Sequence, residues 1–284
     1  MANTAIKVTS NSANEAIRQK LRSTTESVLK QYFGQTLNTV TGMSSIFMAL
    51  MLKESQFNVN AEYATALSPY TSSGAADYYN STVIQNILTP GNPSYSLQKT
   101  YNEPEGRRAV GLTQVMGWNI VKGASKSGKC LVEQFRPDLI GTLCISPGDS
   151  VRAKLAGEAN ITNSILAGLV VLESKYKAGY AKNGGWAIKL GSGSSARELQ
   201  FPSRIYSAVA GYLGYSSTGD ANNTTYSGYA NEIVGGSFYV AANGPSAPMV
   251  TTTKTQTAIG SSSGPATLGG AGTIPGCIAV AAAA

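Results

Sequence analysis

Two apolar runs constrain the fold of this chain more than any other feature of its sequence. They occupy residues 46–52 and 165–172, and both are far shorter than the roughly 20 residues needed to span a bilayer. Each run is also too continuous for a surface helix, which would carry polar residues along one face. The sequence therefore predicts two buried helices, one ending near residues 53–55 and one over residues 160–182.

Two further segments have helical patterns, whereas strand signals are weak throughout. Ser12 and Glu15 form an S-x-x-E capping pattern ahead of apolar residues at helical spacing, which predicts an amphipathic helix over residues 13–33. Residues 201–214 predict another helix. We therefore expect a mainly α fold, with residues 1–34 as an N-terminal helix and residues 35–242 as the main domain.

The balance of charges favours an acidic polymer as partner without saying which one. The 284 residues carry a net charge of +7, and only 13% are charged. Nucleic acid and bacterial cell wall both suit such a balance, yet no segment has the dense Lys/Arg run of a nucleic-acid-binding arm. We expect no nucleic-acid specificity.

The absence of histidine from the sequence restricts the chemistry. It removes the commonest general base, the commonest zinc ligand and every Ser-His or Cys-His nucleophile system. Any chemistry must therefore use carboxylates, Lys, Tyr or a cofactor. We expect no metal site and no cofactor. Cys130 and Cys144 flank a short segment, and the sequence leaves open whether they form a disulfide.

Composition changes near the C-terminus and in a long internal segment. Residues 243–284 contain no aromatic and no acidic residue, so we expect an extended tail that becomes ordered only against a partner. Residues 62–105 contain four prolines and no sustained periodicity, which predicts a long loop. The N-terminal residues lack an apolar signal core, so we expect no Sec export and no transmembrane segment.

Four ordered motifs resemble those of the lytic transglycosylase and goose-type lysozyme superfamily. The first two are MALMLKESQFNVNA at 48–61 and AVGLTQVM at 109–116, where Thr113 replaces the family's usual Met. The other two are AVAGYLG at 208–214, which lacks the family's Asn, and TTYSGYANEIV at 224–234. Residues 62–105 form an insertion between the first two motifs, within the expected groove wall.

The resemblance implies a role for each matching residue. Glu54 would be the catalytic acid, and the substrate-binding residues would be Ser55, Gln114, Met116, Tyr212 and Tyr229. Ser55 and Gln114 would orient Glu54 and the substrate's N-acetyl group, while the two tyrosines would line the sugar site.

Physical chemistry supports the same role for Glu54 independently of the family. A carboxyl at the end of a buried apolar helix is desolvated, so its pKa rises and it can act as a general acid near neutral pH. The simpler alternative is a helix-terminal Glu that reaches solvent or pairs with Lys53. The sequence alone does not decide between them.

The resemblance also implies a lysozyme-like fold and a peptidoglycan-cleaving activity, with 1,6-anhydro products or, alternatively, lysozyme-type hydrolysis. Without an export signal, we expect a bacteriophage virion protein that acts in the host periplasm and binds other virion proteins, or further copies of itself, through its tail. A transglycosylase of a conjugation or secretion apparatus is an alternative. A structural virion protein with a non-catalytic peptidoglycan-binding domain is another.

Overall fold

The computed structural model describes five parts of the chain, residues 12–63, 109–123, 128–190, 197–213 and 224–244. These parts are mainly helical, as the sequence predicts. Their helices are α1 Ser12–Tyr32, α2 Met43–Ser55, α3 Leu131–Phe135, α4 Ile140–Leu143, α5 Val151–Leu155, α6 Ile161–Ala178, α7 Arg204–Tyr212, α8 Thr224–Ile233 and α9 Ser237–Asn243. Their strands are β1 Glu62–Tyr63, β2 Ala109–Val110, β3 Val115–Met116, β4 Tyr180–Lys182, β5 Gly185–Leu190 and β6 Arg197–Phe201.

The core is built around α2 and α6, the two helices that contain the apolar runs. Every residue of α2 from Ile46 to Leu52 is buried, and so is every residue of α6 from Ser164 to Ser174. α1, α8 and α9 pack against α2, while α1, α7 and the short helices α3, α4 and α5 pack against α6. Both helices are therefore enclosed by other elements, which explains why neither needs a polar face.

The N-terminal helix belongs to the same core. Its apolar side chains Leu21, Val28 and Leu29 are buried, and α1 contacts both α2 and α6. The buried Thr25 hydroxyl donates to the Leu21 carbonyl at 2.7 Å, so no polar group of this residue is left unpaired in the core. The predicted amphipathic helix over residues 13–33 is confirmed at 12–32.

Two predicted helices are shorter than expected, because residues at one end of each form strands of a three-stranded sheet. α6 stops at Ala178 and residues 180–182 form β4, while residues 197–201 form β6 ahead of α7. Strands β4, β5 and β6 pair antiparallel in sequence order. The prediction of helix at 179–182 and at 201–203 is therefore wrong.

An Asn-Gly turn explains where the sheet begins. Asn183 and Gly184 have φ values of 50° and 76°, the left-handed conformation that a two-residue hairpin of this kind requires. The dipeptide was a readable hairpin signal between β4 and β5, and the strong helical pattern before it masked the signal. The short helices α3, α4, α5 and α9 were also not predicted, because each has too few residues to show a period.

The second sheet carries the turn of the GLTQ motif. β1, β2 and β3 pair antiparallel, with Val110 opposite Val115 and Ala109 opposite Met116. Residues 111–114 form the tight connection between β2 and β3. Since both strands are two residues long, the turn is not held by its sheet alone.

The turn is held by contact with α6. The Leu112 N–H donates to the Ser164 hydroxyl at 2.9 Å, and the Thr113 hydroxyl donates to the Ser164 carbonyl at 3.0 Å. Opposite Thr113, α6 has Gly168, where an added Cβ would lie 2.6 Å from the Thr113 Oγ1. The Thr113 hydroxyl is therefore matched by a polar acceptor and a glycine on the facing helix.

Other sequence-based expectations lie largely outside the described residues. They concern the tail, of which the structure describes only Asn243 and Gly244, and the loop at 62–105, of which it describes only Glu62 and Tyr63. Within the described parts, no helix has the length and apolar character required to cross a membrane.

The contact between Thr113 and Gly168 predicts a stability difference between two glycine variants. Gly168→Ala should lower the free energy of unfolding by about 1 to 3 kcal/mol, because its methyl group would overlap a short, hydrogen-bonded side chain. Gly228→Ala on α8 is the matched control, since a Cβ there meets nothing within 4 Å; it should be neutral or stabilise by up to about 1 kcal/mol through helix propensity. Urea unfolding measures both, and equal effects would contradict the proposed close fit.

Candidate active site

Glu54 lies at the end of the buried helix α2, where the chain leaves the core. Met51, Leu52 and Ser55 around it are buried, whereas Glu54 keeps part of its surface open to solvent. Gln56 and Phe57 follow with φ values of 55° and 62°. Two consecutive non-glycine residues in the left-handed region are costly, and they turn the chain sharply directly after the carboxyl.

The Glu54 carboxyl has a protein partner from a distant part of the sequence. The Tyr229 hydroxyl, on α8, donates a hydrogen bond to Glu54 Oε1. Tyr229 itself is buried, so the hydrogen bond forms away from bulk water. The simpler expectation, that Glu54 pairs with Lys53, does not describe this geometry.

Burial dominates the titration of Glu54. Desolvation raises the pKa of its carboxyl from 4.5 to about 7, against the smaller lowering effects of the Tyr229 hydrogen bond and the Lys53 charge. A carboxyl with this pKa is protonated in a large fraction of molecules near neutral pH. It can therefore both donate and accept a proton under those conditions, which is the property required of a general acid–base group.

The Lys53 ammonium group, at the same helix end, contacts residues other than Glu54. Its Nζ lies 2.8 Å from Glu232 Oε2 and 4.4 Å from the centre of the Phe238 ring. These contacts hold the ammonium group with a different carboxylate, so it lowers the pKa of Glu54 only at a distance. The pairing of Lys53 with Glu232, 179 residues away along the chain, has no signal in the sequence.

Tyr229 is strongly biased towards its neutral form. Its burial, followed by the charge of Glu54, raises the pKa of its hydroxyl well above 10. The hydroxyl therefore keeps its proton and remains a hydrogen-bond donor to Glu54 across the usual pH range. Its predicted role was to line a sugar site; the contact observed here is with the carboxyl itself.

Tyr212 connects this pair to the GLTQ turn. Its hydroxyl donates to the Thr113 carbonyl at 2.8 Å, and its electrostatic effect adds to the rise in the pKa of Tyr229. Helices α7 and α8, which carry the two tyrosines, pack against each other. Residues of all four sequence motifs therefore meet through Glu54, Tyr229, Tyr212 and Thr113.

Gln114 stabilises the turn in which it lies. Its backbone is left-handed, with a φ of 47°, and its Nε2 donates to the carbonyls of Gly111 at 2.8 Å and Ala61 at 3.2 Å. The Gly111 N–H also donates to the Ala61 carbonyl at 2.8 Å. These bonds tie the turn to the segment that follows Glu54, and no described contact joins the Gln114 amide to Glu54.

The described contacts of Ser55 and Met116 do not involve the Glu54–Tyr229 pair. The buried Ser55 hydroxyl donates to the Met51 carbonyl of its own helix at 2.9 Å, so in this structure it does not bond to Glu54. Met116 is buried with Ala109 in a small apolar cluster against Trp118. The substrate-binding roles expected for these two residues stay predictions.

Sequence reasoning missed the residues that support the turn from behind. Ser164 and Gly168 lie four positions apart on α6, where the apolar pattern made them look like ordinary small residues of a buried helix. Small residues four positions apart on a helix are a weak signal that another backbone approaches closely. In the described parts of the chain, no group of three or more Cys, Asp or Glu residues is placed to hold a metal ion.

Comparisons with known proteins leave the site to be interpreted from its own geometry. They found no matching family model, no similar curated protein and no similar solved structure. The resemblance of the four motifs therefore stays a sequence-based expectation.

The raised pKa of Glu54 predicts that its charge destabilises the folded protein at neutral and higher pH. Its carboxyl titrates at 4.5 when unfolded and about 7 when folded, so folding binds protons between these values and stability falls as pH rises through them. Glu54→Gln, which does not titrate, should therefore be more stable than the natural protein by about 1 to 3 kcal/mol at pH 8, since the shift corresponds to at most about 3 kcal/mol.

Below pH 4.5 both side chains are neutral, and this difference should disappear. Urea unfolding between pH 4 and 8 measures it. Glu26→Gln, at an exposed position on α1, is the matched control and should show no gain that grows with pH. A Glu54→Gln effect that is independent of pH would mean that the carboxyl is not desolvated in the native state.

Proposed function

We propose that this chain is a peptidoglycan lytic transglycosylase that cleaves the bond between N-acetylmuramic acid and N-acetylglucosamine. The observation that carries the proposal is the Glu54 carboxyl, desolvated at the end of an apolar helix and bonded to a neutral tyrosine hydroxyl. Cleavage of a glycosidic bond needs an acid of this kind, because the leaving oxygen must gain a proton as the bond breaks.

In the first step, protonated Glu54 gives its proton to the glycosidic oxygen. Tyr229 holds Oε1, so the transferred proton is carried on Oε2. The carbonyl of the substrate's own N-acetyl group attacks the anomeric carbon as the bond breaks and takes up its positive charge. The products of this step are a free sugar hydroxyl and a cyclic cation that is still bound beside the Glu54 carboxylate.

In the second step, the same carboxylate acts as a base. It removes the proton from the C6 hydroxyl, and the C6 oxygen attacks the anomeric carbon and displaces the N-acetyl oxygen. This closes the 1,6-anhydro ring and returns Glu54 to its protonated form. A pKa of about 7 suits both steps, because a group that donates and then accepts a proton works best when its pKa is near the working pH.

The electrostatic surroundings of Glu54 support the use of one carboxylate. Among the described residues, the groups that shift its pKa are Tyr229 and Lys53, and neither is a carboxylate. The nearby Glu232 is paired with Lys53. A hydrolase that activates water commonly uses a second carboxylate for that purpose, so the internal C6 hydroxyl is the favoured nucleophile.

The proposal also covers the fold of the domain and the place where the protein acts. A lysozyme-like arrangement agrees with a mainly helical domain in which the catalytic carboxyl ends a buried helix and a small sheet follows it. Delivery in a bacteriophage virion, with action in the host periplasm, rests on the composition of residues 243–284. The tail would bind other virion proteins, while the folded domain would bind glycan strands.

Glu54→Gln should reduce the clearing of purified peptidoglycan by about a hundredfold or more. The amide keeps the size and the hydrogen bond to Tyr229 but has no proton to transfer. Glu26→Gln is the control, because it removes an exposed carboxylate of α1 and should clear at the natural rate. Circular dichroism verifies the fold of both variants, and normal clearing by folded Glu54→Gln would exclude Glu54 as the acid.

The nature of the products provides an independent test. Muropeptides released by the natural protein should end mainly in 1,6-anhydro sugars, because the C6 hydroxyl is part of the substrate itself, whereas the proposed mechanism has no second carboxylate to activate water. Mass spectrometry distinguishes them from reducing ends, which are heavier by one water, about 18 Da. Products with mainly reducing ends would assign the chain to the hydrolysing lysozymes, with Glu54 still the acid.

A further inference from the structure

Two cysteines lie in contact outside the candidate active site. Cys130 precedes α3, Cys144 follows α4, and their sulfur atoms are 3.6 Å apart. Both are free thiols in this structure, with Cys130 buried and Cys144 partly exposed. Two thiols that meet in this way, from the two ends of one short helical segment, can be joined by a small movement of their side chains.

The backbone on the Cys130 side is held in place. The Cys130 N–H donates to Glu133 Oε2 at 2.6 Å, and the same oxygen accepts the Gly123 N–H at 3.0 Å. Glu133 thus fixes the start of α3 against the segment that follows the GLTQ motif. The Cys130 thiol has little freedom to move away from its partner.

The backbone on the Cys144 side is held equally well. The Cys144 N–H donates to the Ile140 carbonyl at 3.0 Å. The next residue, Ile145, donates to the Ile120 carbonyl at 3.0 Å and accepts the Lys122 N–H at 2.9 Å. Hydrogen bonds therefore tie the chain on both sides of the pair to the same residues, 120–123, which keeps the two thiols facing each other.

The environment of the pair also favours reaction of the exposed member. The hydrogen bond from the Cys130 thiol, assisted by the charges of Lys122 and Lys154, lowers the pKa of the Cys144 thiol despite its partial burial. A thiolate is the form that attacks a disulfide. The partly exposed Cys144 can thus meet an external oxidant, while the buried Cys130 is placed behind it.

We propose that Cys130 and Cys144 form a disulfide when the folded chain meets an oxidising disulfide, and that this bond closes residues 130–144 into a loop and stabilises the folded protein. The bond would strengthen the domain in an oxidising compartment and be absent in a reducing one. This inference rests on the geometry of the two thiols and does not depend on the proposed reaction at Glu54.

The chemistry is a balanced thiol–disulfide exchange. The Cys144 thiolate attacks one sulfur of the oxidant, which releases the other half of the oxidant as a thiol and leaves a mixed disulfide. Cys130 then loses its proton and attacks the Cys144 sulfur, which releases the second half of the oxidant as a thiol. The two cysteines lose two electrons and two protons in total, and the oxidant disulfide is reduced to two thiols.

The sequence allows the bond to be located in one peptide. Trypsin cuts after Lys129 and after Arg152, but not at Arg136, because Pro137 follows it. Residues 130–152 are therefore released as one fragment that contains both cysteines, and an internal disulfide makes it about 2 Da lighter and resistant to alkylation. The third cysteine, Cys277, lies outside the described residues and outside this fragment.

The experiment compares the full chain after incubation with oxidised glutathione and after incubation with dithiothreitol. The oxidised sample should give the lighter, unalkylated fragment and a melting temperature about 5 to 10 °C higher, because the bond restricts the unfolded chain. Cys277→Ser should behave in the same way. Cys144→Ser, the matched control, should lose the redox-dependent rise in melting temperature.

Three results would overturn the proposal. One is complete alkylation of both cysteines in the oxidised, folded Cys277→Ser protein. Another is an oxidised protein that carries the bond but has a melting temperature no higher than that of the reduced protein, which would contradict the stabilising role of the bond. The third is a bond from Cys277 to either cysteine in place of the pair. The natural protein and Cys277→Ser give all the decisive readings, so a folding defect in Cys144→Ser would leave the test intact.

Discussion

The burial of one carboxyl at the end of an apolar helix is the constraint on which the rest of the site depends. α2 has no polar face because other helices enclose it, and Glu54 is the point at which this helix meets solvent. The resulting desolvation raises the pKa of the carboxyl to about 7, at the expense of folding stability at higher pH. The structure limits that cost by supplying the hydroxyl of Tyr229 and by keeping Lys53 nearby with its own partner.

Separate polar contacts tie this carboxyl and the turn between β2 and β3 to the neighbouring helices α7 and α8. Tyr229 bonds to Glu54, its neighbour Tyr212 bonds to Thr113, and Thr113 bonds to Ser164 on α6. Each hydroxyl in this set has a partner within the buried interior, as a fully satisfied polar network requires. The arrangement fixes the turn and the Glu54 carboxyl relative to the same helices, and the proposed proton transfer requires precise placement of this kind.

Several properties of the site were accessible before the fold was known. The apolar run that ends in Glu54 predicted both a buried helix and a desolvated acid, and the ordered motifs indicated that Tyr212 and Tyr229 belong with it. The partners were not accessible. The hydrogen bond of Tyr229 to Glu54 spans 175 residues and that of Tyr212 to Thr113 spans 99, and no local pattern encodes such a distance. The β4–β5–β6 sheet was missed for a different reason, since the helical period of α6 hid the Asn-Gly turn that follows it.

The sequence by itself determined the period and the burial of the principal helices, because these depend on the spacing of apolar residues along a few turns. It also restricted the possible chemistry, because a chain without histidine must use carboxylates, Lys, Tyr or a cofactor. Only the tertiary structure decided which groups surround Glu54, which glycine leaves space for the Thr113 side chain, and that the thiols of Cys130 and Cys144 face each other. Those outcomes depend on the packing of segments far apart in the chain, where the position of one side chain is set by the shape of all its neighbours.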